Sequence, residues 1–386
     1  MSDQELPQGF LPGTISLTFG HPDASTLPSN DLRIAADAVF RGSQARMALQ
    51  YGPEQGSPAL VDYLVDKFNR EEKLNLTREN LMITAGSTGA LDMIIRLYGR
   101  RNGVVLIEAP SYRDSIYAIG DHDIDLRQVP VDDNGLVVKA LATRLQELGR
   151  EGKSPCLLYT IPTFQNPSGV TLTQDRREAI LALAREYDFL VVEDDVYRDL
   201  FFEGDVPPSF YELAHGRGVM RIGSFSKIMA AGLRLGWIIA EPDHIQRFVD
   251  CGAVQMGGGA NPLVAHIVAE YCRAGHLEPH IAQLRQVYTR RRDVTLAALE
   301  RYMPDGVTWT RPRGGFFIWL TVPEGIDVGL LRNTARQRGV DFSTGTGFFV
   351  QDGGEQNLRL AFSFVLPDEI RRGVAILSDV IREMIG

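Results

Sequence analysis

The chain has 386 residues, of which 44% are hydrophobic and 23% charged, and its formal net charge is −9. This length allows one large domain or two smaller ones, and the acidic balance disfavours a nucleic-acid-binding protein. Three widely spaced cysteines predict neither a disulfide framework nor a zinc site and favour a reducing, cytoplasmic compartment. We find no basic-then-apolar leader and no run of about 18 apolar residues, so we expect neither a secretory signal nor a membrane span.

Short apolar runs alternate with amphipathic stretches between about residues 51 and 240. The apolar runs predict β-strands: LMITAG, GVVLIEAP, PCLLYTIP, FLVVEDD, VMRIGS and GWIIAEP. Between them, TQDRREAILALAREY is typical of a helix that packs on such a sheet. This alternation predicts an α/β fold in which helices cover both faces of a mostly parallel sheet.

We expect the chain to be divided into a large and a small domain. Residues 1–45 hold turns and a helical pattern, DLRIAADAVFRG, and are predicted to contribute to the small domain. Residues 46–275 form the large domain. Residues 276–386 form a smaller α+β domain with a long first helix, the strands GGFFIWLTV and NLRLAFSFV, and a last helix PDEIRRGVAILSDVIREMI.

Ligands of open α/β sheets bind beyond the carboxyl ends of the strands, and polar residues follow several predicted strands here. Ser87 and Thr88 follow LMIT at a predicted helix start, where amide N–H groups suit a phosphate, although an ordinary helix cap is the alternative. Tyr112, after VVLIE, could stack on a planar ligand or pack in the core. Asn166, after CLLYT, could contact a ligand oxygen or mark a turn.

An acidic run, EDD, ends the strand FLVV. Buried carboxylates are costly unless they are paired, so Asp194 is a candidate partner for a protonated ring nitrogen. Tyr197 would reach the same place if the chain turns into a helix. Metal binding is the rival interpretation, but no histidine or further carboxylate lies at ligand spacing, so we predict no metal site.

The stretch GSFSKIMAAGLRLGW places a lysine among small residues at a strand end. Desolvation there would lower the pKa of Lys227 and free its amine for Schiff-base chemistry. Arg234 and Ser224 are suited to a phosphate dianion. Together with the residues above, they are the parts needed to hold pyridoxal 5'-phosphate (PLP).

The sequence resembles the class I/II aminotransferases of fold type I, which are PLP-dependent transferases, and most of all their 2-aminoadipate, kynurenine and aromatic aminotransferase branch. The resemblance extends from about Gly20 to Ser363. The segments that carry it keep the family's order: YGPEQGSPALVDYL, YTIPTFQNPSG, VVEDDVY, GSFSKIMAAGLRLGW, RPRGGFFIWL and LRLAFS. Three departures, Ala230-Ala231, AGSTGAL and the lack of a proline before Tyr197, remove no catalytic group.

The resemblance implies a role for each matching residue. Lys227 would form the Schiff base and move a proton, and Asp194 would pair with the pyridinium nitrogen. Tyr197 and Asn166 would donate hydrogen bonds to the ring oxygen. The remaining cofactor contacts that it implies are Tyr112 on the ring and Ser87, Thr88, Ser224 and Arg234 on the phosphate.

For the substrate, the resemblance implies that Arg359 forms a bidentate pair with the α-carboxylate. Gly20 would leave room for that carboxylate, and Asn166 is a further substrate contact. Tyr51 would reach the phosphate of the neighbouring subunit, so the active unit would be a homodimer. The implied partners are otherwise small molecules, an amino acid and a 2-oxo acid.

Three functions remain open at this point. The first is an aminotransferase that moves an amino group from an L-amino acid to a 2-oxo acid through Lys227. The second is another reaction of the same cofactor, namely decarboxylation, elimination, cyclisation or oxidation, because a fold does not fix a function. The third is the ligand-sensing module of a transcription regulator, which we expect to need a DNA-binding segment ahead of Gly20.

Overall fold

The structure, a computed structural model, describes residues 13–43 and 45–386. The strands in the described part of the chain are β1 (Ile15–Ser16), β2 (Leu81–Thr84), β3 (Gly103–Ala109), β4 (Ile124–Asp132), β5 (Gly135–Leu136), β6 (Pro155–Thr160), β7 (Leu190–Asp194), β8 (Val219–Ser224), β9 (Gly236–Ile239), β10 (Thr308–Trp309), β11 (Phe317–Thr321), β12 (Val340–Asp341), β13 (Ser343–Thr344) and β14 (Asn357–Ala361). The helices are α1 (Ser29–Arg41), α2 (Ala45–Ala48), α3 (Pro58–Glu72), α4 (Gly86–Tyr98), α5 (Arg113–Gly120), α6 (Val138–Arg150), α7 (Gln174–Tyr187), α8 (Phe210–Leu213), α9 (Pro242–Val249), α10 (Pro262–Arg273), α11 (Leu277–Tyr302), α12 (Val328–Gln337) and α13 (Pro367–Ile385).

The largest sheet has eight strands in the order β2-β9-β8-β7-β6-β3-β4-β5. The five strands from β8 to β4 are parallel, and β9 and β5 run antiparallel to them. Strand β2 pairs antiparallel with β9 and therefore runs in the same direction as the five. Its central strands are buried on both faces, which explains why their sequences are continuous apolar runs. The predicted α/β fold with a mostly parallel sheet is confirmed.

Strand β4 is absent from the apolar runs that predict the sheet. Its sequence, IDLRQVPVD, alternates polar and apolar residues, and most of its side chains are only half-buried. The strand lies near the edge of the sheet, where only the two-residue β5 follows it. A strand in this position has no need of a continuous apolar sequence, so hydrophobicity alone does not reveal it.

A second sheet, in the order β10-β11-β14-β13, is entirely antiparallel. Helix α13 packs against α11 and α12 in the same part of the chain. The beginning of the described chain contacts both parts of the molecule, because β1 pairs with β12 while α1 packs against α10. The domain boundaries at residues 45 and 275 stay a prediction.

Polar residues follow the carboxyl ends of β3, β6, β7 and β8, and these ends lie together at one edge of the large sheet. The antiparallel sheet approaches this edge, since a Cβ placed on Gly169 would lie 2.6 Å from the backbone oxygen of Phe317. Within the described ranges, no helix has both the length and the apolarity that crossing a bilayer requires.

Candidate active site

A cavity of about 490 Å³ lies where the carboxyl ends of the parallel strands meet the antiparallel sheet. Most of the predicted site residues line it: Gly20, Ser87, Thr88, Tyr112, Asn166, Asp194, Tyr197, Ser224, Lys227, Arg234 and Arg359. Tyr51 does not line it and lies on the surface with 80% of its area exposed. A larger groove of about 830 Å³ along α11 contains none of these residues.

Lys227 lies three residues beyond the end of β8 and is half-buried in the cavity. Its Nζ donates a hydrogen bond to the backbone oxygen of Gly20 at 2.9 Å. Burial and, to a smaller extent, the positive charge of Arg359 together lower the pKa of Lys227 to about 8, although the charge of Asp194 acts in the opposite direction. At pH 7 roughly a tenth of this amine is therefore unprotonated, far more than for an ordinary lysine, and covalent chemistry on an aldehyde requires this neutral form.

Asp194 is the last residue of β7 and is buried. Its Oδ2 accepts a hydrogen bond from the hydroxyl of Tyr159 at 2.6 Å, whereas its Oδ1 has no partner among the described residues. Burial raises the pKa of Asp194 to about 6, although the Tyr159 hydrogen bond acts in the opposite direction. A buried carboxylate oxygen without a donor fits the protonated ring nitrogen of PLP.

Arg359 lies on β14 and is only 7% exposed, so it is a buried residue and not a surface arginine of the strand. Its Nη1 donates to Asn166 Oδ1 at 2.8 Å and its Nη2 to the backbone oxygen of Thr18 at 2.7 Å. The guanidinium also lies 4.2 Å from the ring centroid of Phe317. No carboxylate of the described chain pairs with it, and burial lowers its pKa to about 10. A buried cation without a counter-charge is suited to an anionic ligand.

The amino end of α4 forms one side of the cavity. Ser87 and Thr88 lie in its first turn, and a Cβ placed on Gly86, whose φ is +76°, would lie 3.0 Å from Arg234 Nη2. Ser224 Oγ donates to Ser226 Oγ at 2.8 Å beside them. Hydroxyl groups, a guanidinium and a helix N-terminus together suit a phosphate.

Two tyrosines lie on the walls of the cavity. Tyr112 precedes α5, and its hydroxyl donates to Asp114 Oδ2 at 2.6 Å. Tyr197 is buried in a turn after β7, not in the helix that the sequence analysis considered, and it still reaches the cavity. Burial raises the pKa of both phenols above their usual range, so both remain protonated donors at neutral pH.

Gly20 lies between the two sheets. A Cβ at this position would lie 2.5 Å from Cζ of Phe317, so any side chain would collide with that ring. The close approach also lets the Gly20 carbonyl accept the hydrogen bond from Lys227. The glycine is therefore required by packing, and its role in leaving room for the substrate carboxylate stays a prediction.

Sequence reasoning did not assign several residues that complete the site. Ser226 lies next to Lys227 and lines the cavity, and its position between Phe225 and Lys227 was the available signal. Thr18 and Ser343 contact Arg359 from segments that carry no recognisable pattern. Among the described residues no group of three or more histidine, cysteine, aspartate or glutamate side chains is placed to hold a metal.

Residues 15–377 match the family described as aminotransferase class I and II. The chain belongs to this family. Among its relatives is aromatic-amino-acid aminotransferase 1 from Thermococcus litoralis, which is 38% identical over 96% of this chain and 88% of that protein. The predicted family is thereby confirmed.

Two solved structures of aminotransferases are similar over the same extent. A kynurenine aminotransferase from Pyrococcus horikoshii, solved in complex with PMP, has a TM-score of 0.92 at 37% identity and covers 97% of this chain and 92% of its own. An α-aminoadipate aminotransferase from Thermus thermophilus, complexed with N-(5'-phosphopyridoxyl)-L-leucine, has a TM-score of 0.88 at 31% identity and covers 97% and 93%. The chain is thus a PLP-dependent aminotransferase of fold type I, as predicted.

Proposed function

We propose that this aminotransferase moves the amino group of an L-amino acid to a 2-oxo acid in the cavity around Lys227. The proposal depends on three ionisable groups that line that cavity together. They are a partly deprotonated amine, the Asp194 carboxylate with one buried oxygen lacking a donor, and the Arg359 guanidinium without a counter-charge. An amino acid and its cofactor would supply a partner for each group. The cofactor aldehyde would react with the amine, the ring nitrogen would bind Asp194, and the substrate carboxylate would bind Arg359.

The cofactor end of the cavity lies between Asp194 and the first turn of α4. When bound, PLP supplies an aldehyde that condenses with amines and a ring that withdraws electrons. Asp194 would accept a hydrogen bond from the ring nitrogen through Oδ1. Ser87, Thr88 and Arg234, with Ser224, would bind the phosphate, while Tyr112 would stack on the ring and Tyr197 and Asn166 would donate to its oxygen.

Lys227 is the base that this geometry offers. Its Nζ is held at 2.9 Å from the Gly20 carbonyl, and a pKa of about 8 leaves it able both to accept and to return a proton near neutral pH. In the proposed reaction this nitrogen takes the proton from the substrate Cα. The two aromatic rings within about 6 Å of Nζ, Tyr197 and Phe316, exclude water from it on that side.

Arg359 would bind the substrate α-carboxylate. The planar guanidinium is fixed by Asn166, Thr18 and Ser343 and by the ring of Phe317, so its orientation is set before the substrate arrives. Its Nε is buried and has no partner among the described residues. A carboxylate that pairs with a preorganised guanidinium gains affinity without a large ordering cost.

We propose aromatic amino acids as the donors. Phe19, His21, Phe317 and Phe348 line the cavity, and the Phe19 and His21 rings stack with centroids 5.2 Å apart. Such walls favour a planar apolar side chain. The names of two relatives, an aromatic-amino-acid aminotransferase and a kynurenine aminotransferase, agree with this choice.

We also propose that the active unit is a homodimer in which Tyr51 contacts the phosphate held by the partner subunit. Tyr51 and Met256 are 80% and 88% exposed, and further large apolar residues of the same region are exposed: Ile34, Phe40, Met47 and Leu49. These residues lie close together, because α1 packs on α10 and Tyr51 lies against Gly257. Large apolar side chains exposed on neighbouring elements support an interface.

The cytoplasmic location predicted from the sequence remains part of the proposal. It is supported by the three cysteines, Cys156, Cys251 and Cys272, which are all free thiols.

The deciding experiment is an absorbance spectrum of the purified protein loaded with PLP, recorded with a panel of L-amino acids. We expect the visible cofactor band to fall with aromatic donors and to return when a 2-oxo acid is added. D-amino acids serve as the control. A band that falls and does not return with any 2-oxo acid would contradict transamination, and a response to non-aromatic donors alone would contradict the proposed donor class.

A further inference from the structure

The partner of Asp194 within the protein is Tyr159, to which neither the family motif nor the proposed roles give a function. Tyr159 lies on β6, in register with Val192 of the neighbouring strand β7, two residues before the carboxylate. It is fully buried, and its hydroxyl is 2.6 Å from Asp194 Oδ2. Next to it, Thr160 Oγ1 donates to Glu108, as expected for side chains that alternate along a strand.

The hydrogen bond from Tyr159 makes the two carboxylate oxygens of Asp194 different from each other. Oδ2 is occupied by the phenol, and Oδ1 remains buried without a donor in the part of the chain that the structure describes. An ionised carboxylate only accepts hydrogen bonds, so the phenol must donate, and this contact stabilises the charged form. Among the described residues Asp194 forms no ion pair with an arginine or lysine, and Tyr159 is its side-chain hydrogen-bond donor. The backbone N–H of Val196 and the charge of Lys227 also lower the pKa of Asp194, but to a smaller extent than this hydrogen bond.

The neighbouring acidic residues are neutralised in a different way. Asp195 Oδ2 lies 2.9 Å from Arg221 Nη2, and Glu193 accepts hydrogen bonds from the backbone N–H groups of Phe210 and Tyr211. These contacts pair Asp195 and Glu193 with groups of the protein interior. Of the three consecutive acids, Asp194 is the one that lines the cavity, and its side-chain donor is a neutral phenol that does not cancel its charge.

We propose that Tyr159 is a positioning residue of this site, whose hydroxyl keeps the Asp194 carboxylate ionised and turned towards the ring nitrogen of the cofactor. The inference rests on the proposed function, because it takes Asp194 as the group that faces that nitrogen. It predicts that loss of the single hydroxyl weakens cofactor binding and reduces protonation of the ring nitrogen. A tyrosine that only fills the core would affect neither property beyond its effect on folding.

The test compares Tyr159→Phe with the matched control Tyr271→Phe, which removes another fully buried phenol, one that contacts the backbone oxygen of His276 away from the cavity. Both proteins are loaded with ¹⁵N-labelled PLP. We expect the ¹⁵N chemical shift of the ring nitrogen to move towards the unprotonated value in Tyr159→Phe alone. We expect the cofactor dissociation constant to rise on the order of 10-fold, the loss of one hydrogen bond to a charged group.

Two further measurements separate the outcomes. If Tyr159→Phe does not fold, Tyr159→Met supplies a hydroxyl-free side chain that adapts to the same space, and it is measured in the same way. A Tyr159 variant that loads with an unchanged ¹⁵N shift and the affinity of the control would overturn the inference while the proposed function stands. A wild-type protein that fails to load PLP, or whose ring nitrogen is unaffected by Asp194→Asn, would instead overturn the assignment of Asp194.

Discussion

At the residue scale, the site depends on charged groups that the protein leaves without a full set of partners. Lys227 is half-buried beside a carbonyl, Asp194 keeps an oxygen without a donor, and Arg359 is buried without an acid. Such groups cost folding free energy when no ligand is bound. The proposed function explains their presence in one cavity, because an amino acid on its cofactor would pair with all three.

The first prediction concerns Lys227→Ala. We expect this variant to lose turnover by at least about 10²-fold, the lower end of what a positioned acid–base group contributes, and to lose the visible band of the covalently attached cofactor. Lys153→Ala is the control, because Lys153 is a surface residue that pairs with Asp125 at 2.8 Å. Steady-state rates and spectra of both variants check the prediction, and full turnover by Lys227→Ala would remove the lysine from the mechanism.

The second prediction is a pH dependence of cofactor capture. Only the neutral amine attacks an aldehyde, and the pKa of Lys227 is lowered to about 8. The fraction of neutral amine rises with pH, so the capture rate should rise, reach half its maximum near pH 8 and level off above it. In Arg359→Met the midpoint should move upwards, because a positive charge that lowers this pKa is gone.

Stopped-flow absorbance after mixing the cofactor-free protein with PLP measures this rate. A capture rate that stays constant through the region around pH 8, or an Arg359→Met midpoint that moves downwards, would contradict the assignment of the nucleophile.

The third prediction concerns Arg359→Lys, which keeps the charge but loses the planar pair of donors. We expect the KM for the amino acid to rise and kcat/KM to fall roughly 10–100-fold, as hydrogen bonds to a charged group are lost. Arg311→Lys, a surface arginine paired with Glu300, is the control. An unchanged KM in Arg359→Lys would show that another residue binds the carboxylate.

At the scale of elements, loops are held by buried polar contacts behind the cavity. Gln165 Nε2 donates to the backbone oxygen of Pro110 at 2.6 Å, and Gln165 Oε1 accepts from Ser168. Glu108, fully buried on β3, accepts from the backbone N–H of Ile161 at 3.0 Å. These contacts fix the loop that carries Asn166, so the amide that supports Arg359 is placed by neighbouring strands and not by the loop sequence alone.

The fourth prediction belongs to the start of α4. Gly86 has a φ of +76°, and a Cβ there would lie 3.0 Å from Arg234 Nη2. Gly86→Ala should therefore lower the free energy of unfolding by about 1–2 kcal/mol and weaken cofactor binding, because the backbone is strained and Arg234 is displaced. Gly120→Ala, with open space around it and no positive φ, is the control.

Urea unfolding and a titration with PLP measure both effects of Gly86→Ala. If its cofactor affinity equals that of Gly120→Ala, Arg234 does not bind the phosphate from its present position.

At the scale of the whole molecule, the large exposed side chains around Tyr51 belong to the surface that we propose as the homodimer interface. The fifth prediction is that subunits of Tyr51→Ala and Lys227→Ala complement each other. If Tyr51 acts in the partner's site, a mixed dimer contains one site with both residues intact. The isolated mixed dimer should then have about half of the wild-type activity, because one of its two sites works, whereas an unfractionated mixture formed by random pairing should have about a quarter.

Subunits carrying different tags are co-expressed and the mixed dimer is isolated, with each variant alone as the reference. Activity no higher than the average of the two separate variants would show that Tyr51 does not act across an interface. A molar mass of one chain in light scattering would contradict the homodimer itself.

The fold and much of the site could be predicted from the sequence because they depend on local patterns. Continuous apolar runs revealed the strands β2, β3, β6, β7 and β8, and residues that follow each of these strands line the cavity. A strand that is buried on both faces must be apolar throughout, and its carboxyl end must carry the ligand-binding residues. The sequence by itself therefore determined the sheet, the cofactor and the identity of Lys227 and Asp194 as candidates.

Only the tertiary structure decided which residues support those candidates. Tyr159 and Asp194 are 35 positions apart, and Lys227 and Gly20 are 207 apart. No local pattern encodes such pairs, because they depend on the order of strands in the sheet and on the approach of the antiparallel sheet. The same holds for the half-buried β4 and for Arg359, whose burial follows from Phe317, Thr18 and Asn166 closing around it. Contacts between residues that are distant in the sequence bring these side chains together and bury them, and composition alone does not predict such contacts.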